Sequence, residues 1–434
     1  MNIVPEIFKL ESKKLYEIAK GIDFNFDQFS EQACQNSLDQ IAKALLKLDD
    51  LLAVKLKETG NFIIVKKQSR TIYTTNGAVT FKRRYYYDKL NKTYIYPLDM
   101  IINLAKYKRV TDELAIKVLE KASDLTYTQV GQNLHSTFVL SKSTIYRIIK
   151  NTNVEKIESK SLIENSDKIH LQIDEKYVGI RGKKYKTRLY TATIFKGIIR
   201  KKNRNILQNV SYISAKSVAK LARKINKVLK ERFKTTIETE IFLSGDYATY
   251  IQNFPDRIAV CKTKYVPDRF HTFRAIKHLT GSLLTNADLN DIEILKQLAA
   301  LEVDNAYKYQ CSQVINYIKK NLNKNPFSAY LDPTYLGCSQ ECTNSHIYAS
   351  RFGKYGYKFN FKTIEKLALV REACKTGATI KISYIKKERI YEERDFTIGK
   401  EYMEIYKSVL DTSGMSSQTR KMFENIKYGV AQCF

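Results

Sequence analysis

A chain of 434 residues, 44% hydrophobic and 27% charged, with 6 prolines and 16 glycines, is long enough for two or three packed units and too poor in linker residues to be disordered. Lys plus Arg number 74 against 45 acids, a formal charge of +29, and a field of that sign calls for a polyanionic partner. No run approaches the roughly 18 apolar residues of a membrane span, the first ten residues lack a signal-peptide pattern, and 7 scattered cysteines are no secreted disulfide framework, so a folded cytoplasmic protein without a membrane partner is expected.

Along residues 29–58, Leu38, Ile41, Leu45, Leu48 and Leu52 recur at steps of three and four, the pattern of an amphipathic helix ending at Gly60, and a helical segment is expected over 1–60. From Phe62 the apolar residues alternate and Asn76-Gly77 marks a hairpin turn. Residues 61–110 therefore read as a β-arm. Between Lys66 and Arg109 it carries 11 Lys or Arg against Asp88 and Asp99, interleaved with Tyr and Phe. Residues 111–155 read as three short helices resembling a helix-turn-helix, the last opening on Ser141 and turning Lys142, Ser143, Tyr146 and Arg147 toward a major groove. A three-helix packing unit with a charged face carries the same pattern; the basic neighbours favour double-stranded DNA.

Beyond residue 166 the expected order is strand, strand, strand, helix, strand, then helices. Ile169, Leu171 and Ile173 share one face of the first strand, and His170, Gln172 and Asp174 the other. A turn at 181–184, strands near 185–195 and 206–213, a helix near 215–232 and a buried strand at 240–246 follow. From Lys176 to Lys234 there are 19 Lys or Arg and one acid, Glu231. That order is an α/β mixture of the ribonuclease H kind.

Two-metal phosphoryl transfer needs a few carboxylates gathered in one small site. Asp174 on the polar side of a central strand, Asp246 closing the next strong strand and Glu341 opening a helix satisfy that demand together. Singly, each reads as an ion-pair partner, a turn residue and a first-turn acid. Cys338, Cys342 and His346 recur at four-residue steps but lack a fourth zinc ligand, and read as small residues packing a helix.

In RYYYDKLNKTYIYPLD (84–99), IHLQIDEKYVGI (169–180), LSGDYATYI (243–251), VPDRFHTFRAI (266–276) and GCSQECTNSHIYASRFGKYGYKF (337–359), the chain resembles the DDE transposases of the ISLre insertion-sequence group, a family long carried as an uncharacterised protein family. The resemblance spans nearly the whole chain. It implies a ribonuclease H-like core in which Asp174, Asp246 and Glu341 are catalytic and hold two Mg²⁺ or Mn²⁺ ions. The acids stand 72 and 95 residues apart, and the longer gap implies an inserted helical domain. Residues 269–330 are helix-patterned, which leaves core segments at 166–268 and 331–375 and a C-terminal extension at 376–434.

Asp268 and His271 look like the acid-x-x-His element that supports DNA handling near such sites, although a His at a helix start also serves as a structural hydrogen-bond partner. The chain departs from the family at Tyr247 and Tyr250, where a Gly-Asp-Gly-Ala-x-Trp pattern places a small residue and a Trp. Lys183, Lys184, Arg351, Lys354 and Lys358 are expected to grip the DNA backbone.

The expected protein is a transposase that binds the ends of its own insertion sequence and cuts and joins DNA, acting as a homodimer or larger assembly. Two rivals share these features. A stand-alone nuclease with the same triad would cleave without joining, and a non-catalytic helix-turn-helix protein, a decayed transposase, would bind without needing metal.

Overall fold

The computed structural model describes residues 26–384 apart from 103, 105–106, 158–166, 203, 260, 302–307 and 354–357. Lys354 and nearly all of the expected C-terminal extension lie outside the described residues. The described residues form two compact units, one of 26–115 with 132–139 and the other of 116–131 with 140–384.

In the first unit, α1 (Phe26–Glu58) buries all five of the expected apolar positions. They pack on Ile72, Val79 and Phe81 of the antiparallel pair β1 (Phe62–Thr74) and β2 (Gly77–Asp88), with β3 (Thr93–Ile95) beside β2 and Leu98 of α2 (Pro97–Ile101) closing the cluster. The hairpin turns one residue earlier than Asn76-Gly77 suggests: Thr74 pairs with Gly77, leaving Thr75 and Asn76 as the loop. Gly77 is needed for two reasons. Its φ is 137°, and a Cβ there would meet Leu38 Cδ1 at 2.6 Å.

Part of this arm's charge is neutralised internally. Asp99 accepts from Arg70 at 2.5 Å and pairs with Arg83 at 3.0 Å, and Arg84 joins Asp49 and Asp50 at 2.6 and 2.7 Å. Arg83 also lies over the Tyr96 ring, 3.6 Å from its centroid.

The three expected helices follow as α3 (Asp112–Asp124), α4 (Tyr127–Gln132) and α5 (Lys142–Asn151), and the division between the units falls within α3 and at the end of α4. Ser141 caps α5 by accepting from the Thr144 amide at 3.2 Å. β4 (Thr152–Ile157) leads toward the second unit's main sheet.

That sheet is built from β5 (Lys168–Val178), β6 (Thr187–Phe195), a side hairpin of β7 (Gly197–Lys201) and β8 (Arg204–Gln208), then β9 (Ser211–Ala215), the helix α6 (Val218–Glu231), β10 (Glu240–Gly245), the short α7 (Thr249–Gln252) and β11 (Lys262–Pro267). The order is β11-β10-β5-β6-β9, with β6 antiparallel to both neighbours and β10 parallel to both of its own. Ile169, Leu171 and Ile173 pack with Leu221, Ile225 and Leu229 of α6, so the predicted alternation of β5 holds. On the opposite face His170 lies between the Phe195 and Phe242 rings. Both faces are thus covered, and the polar face of β5 is an interior one.

Two features depart from the expected order. The strand near 206–213 is two, one belonging to the side hairpin, and β11 is a strand where helices were expected. β11 is an edge strand whose Lys262 and Lys264 interrupt its apolar pattern, the usual way that edges are protected and also the reason its sequence signal is weak.

The helical insertion is formed by α8 (Arg269–Thr280), α9 (Ile292–Ala300) and α10 (Lys308–Asn321), around Leu295, Leu298, Val314, Ile318 and Phe327. The chain then returns through α11 (Gln340–Thr343), a π-turned stretch (Asn344–Ala349) and α12 (Ser350–Phe352) to α13 (Phe361–Thr376). β12 (Thr379–Tyr384) ends the described chain by pairing antiparallel with β4. The fold is mixed α/β, as expected.

Candidate active site

Parallel register brings the acids together. β10 pairs with β5 so that Ser244 faces Gln172, and the same offset carries Asp246, one residue past its strand, level with Asp174. β11 pairs Pro267 with Gly245, which sets Asp268 beside Asp246. Three carboxylates therefore stand at the same end of three adjacent strands. Gly245 permits this closeness, because a Cβ there would meet the Ile173 carbonyl at 2.7 Å and the Ile251 side chain at 2.8 Å.

Asp174 is half-buried and held from two sides. Its Oδ1 accepts from the Glu175 amide and its Oδ2 from Asn344 Nδ2, both at 2.6 Å. Burial raises its pKa to about 6, the charge of Asp246 adds to the rise, and the two hydrogen bonds oppose it. Asp246 accepts from the Ala248 amide at 3.0 Å.

Glu341 is reached through a short relay. Asp268 caps α8 by accepting from the Phe270 amide, and its Oδ2 lies 2.5 Å from His271 Nδ1. His271 Nε2 is 3.4 Å from Glu341 Oε1. The bond to Asp268 raises the His271 pKa, burial opposes, and the charges of Asp268, Glu341 and Asp246 reinforce the rise. The Glu341 side chain is 67% exposed, so it can turn toward an incoming group.

Residues that sequence reading did not single out fasten this arrangement. Gln172 Oε1 accepts from the amide and hydroxyl of Ser339 at 3.1 and 3.2 Å, and its Nε2 donates to the Gly337 carbonyl at 3.0 Å. Thr191, opposite Asp174 on β6, has its hydroxyl 2.7 Å from Asn344 Oδ1 and 3.2 Å from Gln340 Nε2. Two signals pointed to them: Gln172 shares the Asp174 face of its strand, and Asn344 stands three residues after Glu341, on its side of a helix.

The two departures from the family pattern are accommodated. Tyr247 adopts no positive φ; it is buried, with its hydroxyl 2.6 Å from Thr272 Oγ1. Tyr250 stands edge-on to Tyr190 at 5.3 Å. Burial and the nearby charges of Glu175, Asp246 and Asp174 raise its pKa and keep it a neutral phenol.

The donor set of Asp174 and Asp246 suits a hard divalent cation, which would offset the Asp246 charge that raises the Asp174 pKa. Among the described residues no group of three or more His, Cys, Asp or Glu side chains is already drawn together as a coordination sphere. Cys342 and His346 are both exposed.

The expected DNA contacts divide. Lys142, Ser143, Tyr146 and Arg147 are exposed on α5 while Ile145 and Ile149 are buried beneath them. Lys183 and Lys184 are exposed in the turn that follows β5, toward the carboxylate end, and Lys358 is exposed. Arg351 is a correction: it is buried, donates from Nε to the Ala122 carbonyl at 3.0 Å and stacks on Phe359 at 4.9 Å. Ala122 lies in the last turn of α3, where carbonyls lack helical partners and attract a cation, so Arg351 serves packing and is not free to grip DNA.

The profile of a family described as Uncharacterised protein family (UPF0236) matches residues 24–388. The chain is similar to three curated proteins of Caldanaerobacter subterraneus subsp. tengcongensis, each named as a UPF0236 protein. One is 20% identical over 408 residues, covering 90% of this chain and 84% of the relative. A second is 20% identical over 370 residues, with 81% and 78% covered. A third is 22% identical over 361 residues, with 79% and 76% covered.

Proposed function

We propose, from the premise that this chain belongs to the UPF0236 family, that it is a DDE-type transposase, which binds the ends of its own insertion sequence and cuts and joins DNA. The observation that carries this reading is the alignment of Asp174 and Asp246 on adjacent parallel strands, with Glu341 3.4 Å from His271, whose other ring nitrogen meets Asp268. The sheet supports it as well: three adjacent antiparallel strands, β9, β6 and β5, followed on the β5 side by the parallel β10 and β11, is the order expected of a ribonuclease H-like core. The names of two relatives join 11 and 4 designations within one organism, as dispersed copies of one mobile element would.

In this reading Asp174, Asp246 and Glu341 hold two Mg²⁺ or Mn²⁺ ions, which supply activation of a hydroxyl nucleophile and stabilisation of the departing oxygen. The chain's own groups set the geometry. Asn344 orients Asp174, the Asp268–His271 pair orients Glu341, and the neutral Tyr250 with Tyr190 lines the site with aromatic surface. Lys183 and Lys184 counter phosphate charge at that end of the sheet, and the exposed face of α5 contacts duplex DNA. No covalent enzyme intermediate is needed, and synapsis of two ends calls for a dimer or larger assembly.

The test is strand cleavage and joining on DNA flanking the gene, with Mg²⁺ or Mn²⁺, comparing wild type and Asp246→Asn. Metal-dependent nicks at a defined boundary and joined product, both abolished by the substitution, are expected. Cleavage without joining would leave a nuclease, and binding without product from folded wild type would leave a non-catalytic DNA-binding protein.

A further inference from the structure

A band of exposed positive charge in the second unit extends away from its carboxylates. α6 turns Leu221, Ala222, Ile225 and Leu229 into the sheet, which places Arg223, Lys227 and Lys230 on its outer side, all exposed. They follow one another at steps of four and three. Like charges so spaced repel along a helix surface unless an anion lies among them. Glu231 is the only acid in the helix, and it approaches Lys227 at 4.0 Å. Lys224 is turned aside to the Ser214 carbonyl at 2.8 Å.

A second basic feature joins the end of this helix. Arg232, the residue after α6, donates to Asn209 Oδ1 at 2.9 Å and to Ser211 Oγ at 2.5 Å, where the chain returns from β8 to β9. β7 and β8 form a two-stranded ribbon that adds nothing to the main sheet. Its stem pairs Ile198 with Leu207 and Ile199 with Ile206, and beyond it Arg200, Lys201 and Lys202 are exposed. A lone two-stranded ribbon is marginal in water, and one tipped with cations gains order from a polyanion.

The placement is directional. β6 sets Thr191 against Asp174 but Phe195 against His170, so the ribbon leaves from the opposite end of β5. The six steps from Thr191 to Gly197 span roughly 20 Å of extended chain. α6 starts near Ala215, at the carboxylate end, and its 14 residues run back over about 21 Å.

We infer that the outer face of α6 and the β7–β8 ribbon form a track for the phosphate backbone of duplex DNA, its α6 part on the sheet face opposite the Asp174 side chain, running from the carboxylate end of the sheet over about six base pairs. The inference rests on the proposed function only for the identity of the polyanion. The track supplies affinity and direction through contacts of its lysines and arginines with phosphates, which position a duplex without reading its sequence.

The experiment uses the full chain and a fluorescent duplex of about 30 base pairs, in EDTA, between about 0.05 and 0.2 M salt. Two triple variants are compared with wild type: Arg223→Ala, Lys227→Ala, Lys230→Ala, and Arg200→Ala, Lys201→Ala, Lys202→Ala. Each is expected to bind at least ~10-fold more weakly at ~0.1 M salt, with a salt slope reduced by about 2 to 3. The charge-conserving triple Arg223→Lys, Lys227→Arg, Lys230→Arg keeps wild-type binding. Unchanged affinity and slope in folded alanine variants overturn the track, as does equal weakening by the charge-conserving triple, or a preference for single-stranded RNA over duplex DNA that the alanine variants abolish. Because no metal is present, the track is tested apart from catalysis. An intact slope effect with no metal-dependent product overturns the proposed function alone, and full product with an unchanged slope overturns the track alone.

Discussion

Asn344 Nδ2 donates to Asp174 Oδ2 at 2.6 Å, tying the helical segment that carries Glu341 to the central strand of the sheet. Asn344→Ala removes a donor to Asp174 and one of two acceptors of the buried Thr191 hydroxyl, which keeps the Asp174 carbonyl at 3.0 Å. A loss of about 1 to 3 kcal/mol is expected, read as a lower denaturant midpoint, with a further rise in the Asp174 pKa. An unchanged midpoint would remove Asn344 from its assigned role.

The pH dependence of Asp174 has a definite sign. Its folded pKa of about 6 stands above the ordinary 3.8, so the folded state holds this proton more tightly than the unfolded chain. Its contribution therefore falls as pH rises from about 4 to 6 and is constant above, a decline of about 2 to 3 kcal/mol without metal. Asp246→Asn removes the neighbouring charge and should flatten that decline. Denaturation midpoints of both proteins across this range decide the matter; a difference that stays constant with pH would contradict the coupling.

His170 behaves oppositely. Held between Phe195 and Phe242, it has its pKa lowered to about 4, chiefly by burial, from 6.5. The unfolded chain then takes up the proton first as pH falls, so stability is full above pH 6.5 and is lost down to about pH 4, by about 3 kcal/mol. His170→Phe should remove this component from the difference between melting curves at pH 7.5 and pH 5. A variant with the same acid sensitivity as wild type would argue against it.

Gly245→Ala tests the close approach of β10 to β5. The added methyl meets backbone at 2.7 Å, and overpacking of this kind costs about 1 to 3 kcal/mol. Product formation should fall by more than stability alone explains, because Asp246 moves with its strand. Wild-type melting and activity would show that the sheet absorbs the methyl freely.

Several parts of the site are legible in local pattern. Alternation along β5 placed Asp174 on the face away from Ile169, Leu171 and Ile173, and the helical periodicity after Arg269 announced the insertion. The Ser141 cap and the exposed set on α5 follow from the same kind of short-range signal. The hairpin turn was misplaced by one residue because the positive φ and the contact with Leu38 both fall on Gly77, and the second cause is non-local.

What the sequence by itself determined is which side chains share a strand face or a helix face, since periods of two and 3.6 are properties of the backbone. It also determined that positive charge is concentrated around the second unit's strands and on α6. Only the tertiary structure decided the parallel register that levels Asp174, Asp246 and Asp268, the edge position of β11, the inward turn of Arg351 onto Ala122, and the pairing of Arg70, Arg83 and Arg84 with acids of their own unit. Each joins groups tens to hundreds of residues apart. Such contacts depend on which buried polar atoms remain to be satisfied once the elements have packed, and that quantity exists only in the assembled fold.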